Sequence, residues 1–311
     1  MQQSLTRHRH VIDLDDLSSE EIEEILVSTE GMKEVLAREI KQVPALRGRN
    51  VVNMFFEEST RTRISFELAA RALSANIVNF TARGSSVEKG ESLIDTVRTL
   101  QALGADIVVI RHNQSGAPYL VAQHFCGAVI NAGDGRHAHP SQALLDLFTI
   151  RERLGQIRDL KVVIIGDILH SRVARSDIWG LTRMGARVTL CAPPTLLGPR
   201  QYWLETWPGL TISHSLDEAL QGADVVMALR IQKERMQSGL LPSLREYTRV
   251  YGLTPERLER IGDSTLIMHP GPMNEGVEIS PEAATAPQSV IEAQVTNGVA
   301  VRMALLYRLS A

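Results

Sequence analysis

Short apolar runs alternate along the chain with longer stretches in which apolar positions recur every three or four residues. The runs fall at 51–56, 76–80, 106–110, 128–131, 161–165, 187–191, 224–229 and 265–268. Their length and flanking turn-forming residues mark them as strands, and the stretches between them as helices. Such alternation predicts parallel sheets with helices on both faces. Residues 18–42 read as an amphipathic helix that opens with a capping signature, Ser18-Ser19-Glu20-Glu21, and continues through Ile22, Ile25, Leu26 and Val35. A second helical pattern runs from Ile64 to Leu73, with Ile64, Leu68, Ala69 and Ala72 on its expected apolar face.

The helical pattern from Pro140 to Leu154 stops at Gly155, and Lys161-Val-Val-Ile-Ile165-Gly166-Asp167 starts a fresh strand and turn. The expected fold is therefore α/β, with two domains, each a parallel sheet flanked by helices, joined by interdomain helices. The expected division is 1–154 and 155–289, with a last helix over about 290–311 packing back on the first domain. Pro270 to Pro287 reads as a long, loop-rich return.

Composition narrows the function. A chain of 311 residues has room for two cores, and a net charge of −3 makes no electrostatic case for nucleic acid. No apolar run reaches the roughly eighteen residues of a membrane span, and Met1 to His10 lacks the apolar middle of a signal peptide. Cys126 and Cys191 have apolar neighbours and no CxxC spacing, so both are expected to be buried free thiols. The expectation is a cytoplasmic enzyme.

Two stretches read as anion grips. Ser59-Thr60-Arg61-Thr62-Arg63 joins the run ending at Phe56 to the helix beginning near Ile64. Hydroxyls, two guanidinium groups and the unpaired amides of a helix start then meet at one turn, a combination that favours phosphate. Arginine in a helix's first turn opposes the dipole, and an anionic ligand supplies a reason for it. In His139-Pro140-Ser141-Gln142, proline suits the first helical position and holds the preceding residue extended. His139 and Gln142 would thus stand together at a helix start, able to hold a carbonyl oxygen and its attached nitrogen.

Arginines also follow three strand-like runs: Arg111 with His112, Arg172 after the Gly166-Asp167 turn, and Arg230 in Arg230-Ile231-Gln232-Lys233-Glu234-Arg235. In open parallel sheets ligands bind outside the carboxyl ends of the strands. Gly84 to Glu91 is a polar, glycine-bounded loop whose Ser85 and Lys89 could close over an anion. His8 and His10 lie in an expected tail, and His137 and His139 have no evident acidic or cysteine partner, so no metal site is expected. No GxSxG, Walker A or GxGxxG pattern is present, which weighs against a nicotinamide enzyme.

Taken together, these motifs resemble the aspartate/ornithine carbamoyltransferase (transcarbamoylase) family over essentially the full length, and its aspartate branch most closely. The resemblance rests on Ser59 to Arg63, the Ser85 to Lys89 loop, Arg111-His112, Gly133-Asp-Gly135, His139 to Gln142, Gly166-Asp167 with Arg172, Arg230 to Arg235, and His269-Pro-Gly-Pro272. It implies carbamoyl transfer from carbamoyl phosphate to L-aspartate in pyrimidine synthesis, with no cofactor. Ser59, Thr60, Arg61, Thr62, Arg111, His139, Gln142, Gly271 and Pro272 would bind carbamoyl phosphate. Lys89, Arg172, Arg230 and Gln232 would bind aspartate, and Arg61, Arg111, His139 and Lys89 would act in catalysis. Ser85 and Lys89 would come from a neighbouring subunit of a homotrimer, which could join dihydroorotase or a regulatory chain.

An ornithine-specific relative should carry an acid where Lys89 and Arg230 stand, and His-Cys-Leu-Pro in place of His269-Pro-Gly-Pro272. One departure from the pattern is Asn274-Glu275-Gly276, where many relatives have Asn-Arg-Gly. A scaffold that had lost catalysis should lack site residues, and here they are present.

Overall fold

The computed structural model describes residues 9–81, 90–232 and 239–310. These form two compact units, one of residues 9–144 and 297–310 and the other of 145–296. In chain order the first holds α1 (Ser19–Ala37), β1 (Asn50–Phe55), α2 (Thr60–Ala72), β2 (Asn76–Thr81), α3 (Leu93–Ala102), β3 (Ile107–His112), α4 (Ala117–His124) and β4 (Ala128–Asp134). Helix α5 (Pro140–Leu154) has residues in both units. The second continues with β5 (Lys161–Ile165), α6 (Arg172–Arg183), β6 (Arg187–Cys191), α7 (Pro194–Leu197), α8 (Arg200–Thr206), β7 (Thr211–Ser213), α9 (Leu216–Leu220) and β8 (Val225–Ala228). It ends with α10 (Leu244–Tyr251), α11 (Pro255–Ile261), β9 (Leu266–Met268) and α12 (Pro281–Ala284), before α13 (Ile291–Ser310), which again has residues in both units. The expected boundary at Gly155 lies just past the end of α5, whereas the compact units divide inside that helix.

Both sheets are wholly parallel, as the apolar runs require. Their strand orders are β2-β1-β3-β4 and β7-β6-β5-β8-β9. Each order reverses once, between β1 and β3 in the first sheet and between β5 and β8 in the second. Those reversals open a crevice at the strands' carboxyl ends. Side-chain amides help hold the register of the first sheet: Asn50 faces Asn76 and Asn53 faces Asn79, each pair bonded at 3.0 Å. The second core is built on Val163, Ile165, Val226 and Ile267, with Tyr247 and Leu253 packed among them.

Several expectations need correction. Helix α1 has its capping box, Ser18 and Glu21 each bonding the other's backbone N–H, but it stops at Ala37 rather than 42. Beyond that point no buried apolar residue continues the pattern, and Ile40 is exposed. In α2 the buried residues are Thr62, Phe66, Ala69, Ala70 and Ala72, so Ala69 and Ala72 face the core as expected, while Ile64 and Leu68 are about half exposed at 45% and 50%. Phe66 sets the rotation of the helix, capped on its ring by the Arg302 guanidinium at 5.1 Å. Strand β7 was missed because it is a three-residue edge strand with no full apolar run. Cys191 is buried and Cys126 exposed, the latter at the turn between α4 and β4. His10 is no tail residue: its Nδ1 accepts the Val129 N–H at 3.2 Å, and Val11 bridges to Ile130 of β4.

Candidate active site

In the first unit Ser59 to Thr62 follow β1 and Arg111 stands near the end of β3, the two strands at the strand-order reversal. Ser59 is the N-cap residue of α2, yet its side chain makes no cap hydrogen bond. The first-turn amides of a helix have no partner within the helix, so this start is not closed by its own serine. Thr60 and Arg61 are exposed there, and Thr62 is buried beneath them. Arg111 lies one strand away, at the end of β3. The β3–β4 register slips by one residue around it, from Ile110 opposite Asn131 to His112 opposite Asp134. A bulge of this kind turns a side chain away from the regular pleat. The guanidinium is then fixed by Glu57 Oε1 at 2.6 Å and by the Ala132 carbonyl at 3.2 Å.

His139 and Gln142 are placed by the segment leading into α5. The helix starts at Pro140, and the His139 carbonyl accepts the Gln142 and Ala143 N–H groups at 2.9 and 3.2 Å. The His139 ring is buried, with Ser141 Oγ 3.5 Å from Nδ1. Upstream, buried Asp134 gathers the turn: its carboxylate accepts from Asn131 Nδ2, Gly116 N–H and Ala138 N–H at 2.7–3.1 Å. Gly135 must remain glycine, since φ is +45° and a Cβ would fall 2.5 Å from Ser115 Oγ. His137, expected to lack an acidic partner, sits between two: Nδ1 is 3.1 Å from Asp134 and Nε2 is 3.3 Å from Asp13. The Asp134 hydrogen bond draws its pKa upward, and burial pushes Asp13 up to about 7.

The second unit repeats the arrangement at its own reversal. The turn after β5 is tight: Gly166 has φ +121°, and a Cβ there would come within 2.9 Å of the Leu229 carbonyl. Buried Asp167 follows. Its Oδ1 accepts the His170 N–H and faces His170 Nδ1 at 2.7 Å, while Oδ2 accepts the Gln232 N–H at 3.3 Å. It thereby ties the turn after β5 to the turn after β8, which carries half-buried Arg230 and Gln232. Burial raises the Asp167 pKa, and the His170 bond opposes that rise. Arg172 opens α6 and is buried, and Ser171 caps the helix by accepting the Ala174 N–H at 3.1 Å.

The turn after β9 holds Gly271 half-buried and Pro272 exposed. His269 Nδ1 accepts the Gly271 N–H at 2.7 Å, and its Nε2 faces Glu278 Oε1 at 3.2 Å. Ser85 and Lys89, and Lys233 to Arg235, lie outside the described residues.

Comparison with known proteins decides the family. The model of the aspartate/ornithine carbamoyltransferase carbamoyl-P binding domain matches residues 9–152, and that of the Asp/Orn binding domain matches 158–309. The chain belongs to the aspartate/ornithine carbamoyltransferase family. It is 76% identical over 302 residues to the aspartate carbamoyltransferase catalytic subunit of Chloroflexus aurantiacus, covering 97% of this chain and 98% of that one. The Roseiflexus castenholzii counterpart is 74% identical over 304 residues, at 98% and 96% coverage. Among solved structures, Trypanosoma cruzi aspartate transcarbamoylase in complex with carbamoyl phosphate and aspartate is similar with a TM-score of 0.86. It is 30% identical, and 96% of each chain is covered. The catalytic subunit of M. jannaschii aspartate transcarbamoylase gives a TM-score of 0.85 at 36% identity, covering 97% of this chain and 98% of that one.

In this carbamoyltransferase-family chain, sequence reasoning missed Glu57 and named Asp134 and Asp167 only within the Gly133-Asp-Gly135 and Gly166-Asp167 motifs, with no holding role. Glu57 fixes Arg111, Asp134 gathers the turn before His139, and Asp167 joins two loops in the second unit. The first two had local signals: Glu57 directly follows the strand of the anion grip, and Asp134 stands three residues before His137. The Asp167–Gln232 tie had none, because 65 residues separate them. Glu275, the expected departure from the family pattern, is exposed.

Proposed function

We propose that the chain transfers the carbamoyl group of carbamoyl phosphate to the amine of L-aspartate, giving N-carbamoyl-L-aspartate and phosphate in de novo pyrimidine biosynthesis. The observation that carries this reading is the pair of arginine-bearing helix starts, one at each sheet's strand-order reversal, in a chain 76% identical to an aspartate carbamoyltransferase catalytic subunit.

In this reading Ser59, Thr60, Arg61, Thr62 and Arg111 hold the phosphate, with the α2 amides sharing its charge. Arg111, His139, Gln142 and Thr62 address the carbamoyl group, and backbone groups of Gly271 and Pro272 complete its binding. Arg172, Arg230 and Gln232, with Lys89, orient aspartate, whose two carboxylates suit planar guanidinium forks. The neutral amine forms a bond to the carbamoyl carbon, and its carbonyl oxygen becomes an oxyanion facing Arg111 and His139. The carbon–oxygen bond to phosphate then breaks, Arg61 stabilises the leaving charge, and the departing phosphate can take the amine's proton. No covalent enzyme intermediate and no metal or organic cofactor enters these steps.

The assay is purified protein with carbamoyl phosphate and either L-aspartate or L-ornithine, read as ureido product. Product with aspartate alone is expected. Product with ornithine alone would overturn the assignment of Arg172 and Arg230 to a dicarboxylate.

The same reading makes the enzyme a cytoplasmic homotrimer in which Ser85 and Lys89 serve a neighbour's site, open to assembly with dihydroorotase or a regulatory chain. In support, Ile64 and Leu68 stand one turn apart and half exposed on α2, an apolar pair that a neighbouring subunit could cover. Among the described residues no helix is long and apolar enough to cross a membrane. Mixing Lys89→Ala with Arg61→Ala subunits should restore part of the activity, because a hybrid trimer contains an intact site. No recovery after verified subunit exchange would exclude shared sites.

A further inference from the structure

A buried polar chain runs through the second unit. Gln294 of α13 accepts the His269 N–H on Oε1 at 3.0 Å and donates from Nε2 to Asp146 Oδ1 of α5 at 2.6 Å. A backbone N–H can only donate, so the amide has one possible orientation and Asp146 Oδ1 must accept. Asp177, on the helix that Arg172 opens, is buried beside the Asp146 carboxyl group. Neither Asp177 oxygen meets a hydrogen-bond donor among the described residues. Two carboxylates become hydrogen-bond partners only with a proton between them, since both are otherwise acceptors. A buried anion without a donor is also too costly to persist. Gln294 stabilises charge on Asp146 and no such donor stabilises it on Asp177, so the proton belongs on Asp177.

We propose that Asp177 is a protonated carboxylic acid at neutral pH, donating to the Asp146 carboxylate, and that the two are positioning residues for the His269–Pro272 turn. Asp177 O–H thus supports Asp146, Asp146 orients Gln294, and Gln294 holds the His269 backbone. On its other side the turn is held by the His269 ring and by Glu278 Oε1, which also accepts the Asn274 N–H at 2.6 Å. Burial, followed by the adjacent Asp146 charge, raises the Asp177 pKa well above the carboxylate range. The positioning role rests on the carbamoyltransferase reading of that turn; the bound proton does not.

The test is Asp177→Asn, whose amide keeps a donor toward Asp146 and loses the proton that can leave. The infrared difference spectrum at pH 7, wild type minus Asp177→Asn, should show a protonated carboxylic acid carbonyl band over the Asp13 signal that both proteins share. Identical carbonyl bands in the two proteins would overturn the proposal. Stability against urea supplies an independent reading. The folded state keeps a proton that the unfolded chain releases, so folding is disfavoured as pH rises above the ordinary aspartate pKa of about 3.9. Between there and the folded pKa, the wild-type folding constant should fall about tenfold per pH unit relative to Asp177→Asn. Parallel pH profiles would again overturn it. For the positioning role, Asp177→Asn should keep turnover near wild type, whereas Asp177→Leu, which has no donor, should lose roughly 10–100-fold in kcat/KM. Equal losses in the two variants would remove that role and leave the spectroscopic result standing. An inactive wild type would instead fail the carbamoyltransferase reading, with the infrared and stability arms still decisive for the proton.

Discussion

The turns after β1 and β5 are built alike and finished differently. Each follows a strand at its sheet's reversal, and each is followed by a helix with arginine in its first turn, Arg61 in α2 and Arg172 in α6. At α6 the N-cap serine closes the helix, with Ser171 Oγ accepting the Ala174 N–H at 3.1 Å. At α2 the N-cap serine makes no such bond. The same residue type in the same place therefore closes its helix in one unit and leaves it open in the other, where the proposed function places phosphate. A phosphate, with several acceptor oxygens and more than one charge, can use backbone amides, hydroxyls and guanidinium groups together. In the proposed function aspartate's flat carboxylates take the Arg172 and Arg230 guanidinium forks, with Gln232 and Lys89, and need no helix amides, so the second helix start can satisfy itself.

The largest effect should come from breaking the open start. Arg61→Ala removes the cation assigned to the leaving phosphate, and turnover should fall by about 10²–10³-fold, the usual loss for one preorganised electrostatic group. Arg61 is exposed, so thermal stability should stay near wild type. Steady-state kinetics with a melting curve checks both. Near-normal turnover would remove Arg61 from the chemistry and with it the contrast between the two helix starts.

A smaller loss is expected at the closed start. Arg172→Lys keeps the charge and loses the planar fork, so the KM for aspartate should rise by roughly 10–100-fold, with the KM for carbamoyl phosphate little changed. An equal rise in both constants would mean that Arg172 supports the fold of the second unit rather than one substrate. Arg172 is only 5% exposed, which makes that control necessary.

How much of this was legible in the sequence follows the same division between local and distant causes. Strands such as Asn50–Phe55 and Lys161–Ile165 are short, mostly apolar runs, and their alternation with helical patterns was sufficient for two parallel sheets. Pro140 at the first position of α5 and Gly155 just past its end were equally plain. The rotation of α2 was not, because Ile64 and Leu68 are as apolar as Phe66, and what selects Phe66 is Arg302 from the far end of the chain. His137 was misread for a similar reason: Asp13 lies 124 residues away, although Asp134 was near enough to notice. The residues assigned to ligands stand in motifs, whereas the partners of the holding residues Glu57, Asp167 and Gln294 (Arg111, Gln232 and the His269 backbone) are set by packing between elements.

The two N-cap serines allow the finest test, with opposite signatures from one chemical change. Ser171→Ala deletes a working cap and should cost about 0.5–2 kcal/mol. For a unit of this size that corresponds to roughly 2–4 °C in Tm per kcal/mol. All three tryptophans, Trp179, Trp203 and Trp207, pack together in that unit with ring centroids 5.0 and 5.6 Å apart, so fluorescence-detected unfolding reads it directly. Ser59→Ala deletes a hydroxyl that caps nothing and should leave stability within about 0.5 kcal/mol. Its loss should appear instead in the KM for carbamoyl phosphate, by about tenfold for one hydrogen bond to a charged group. If Ser59→Ala were the destabilising change and left binding intact, the start of α2 would be an ordinary cap, and the phosphate would have to be held by Arg61 and Arg111 without it.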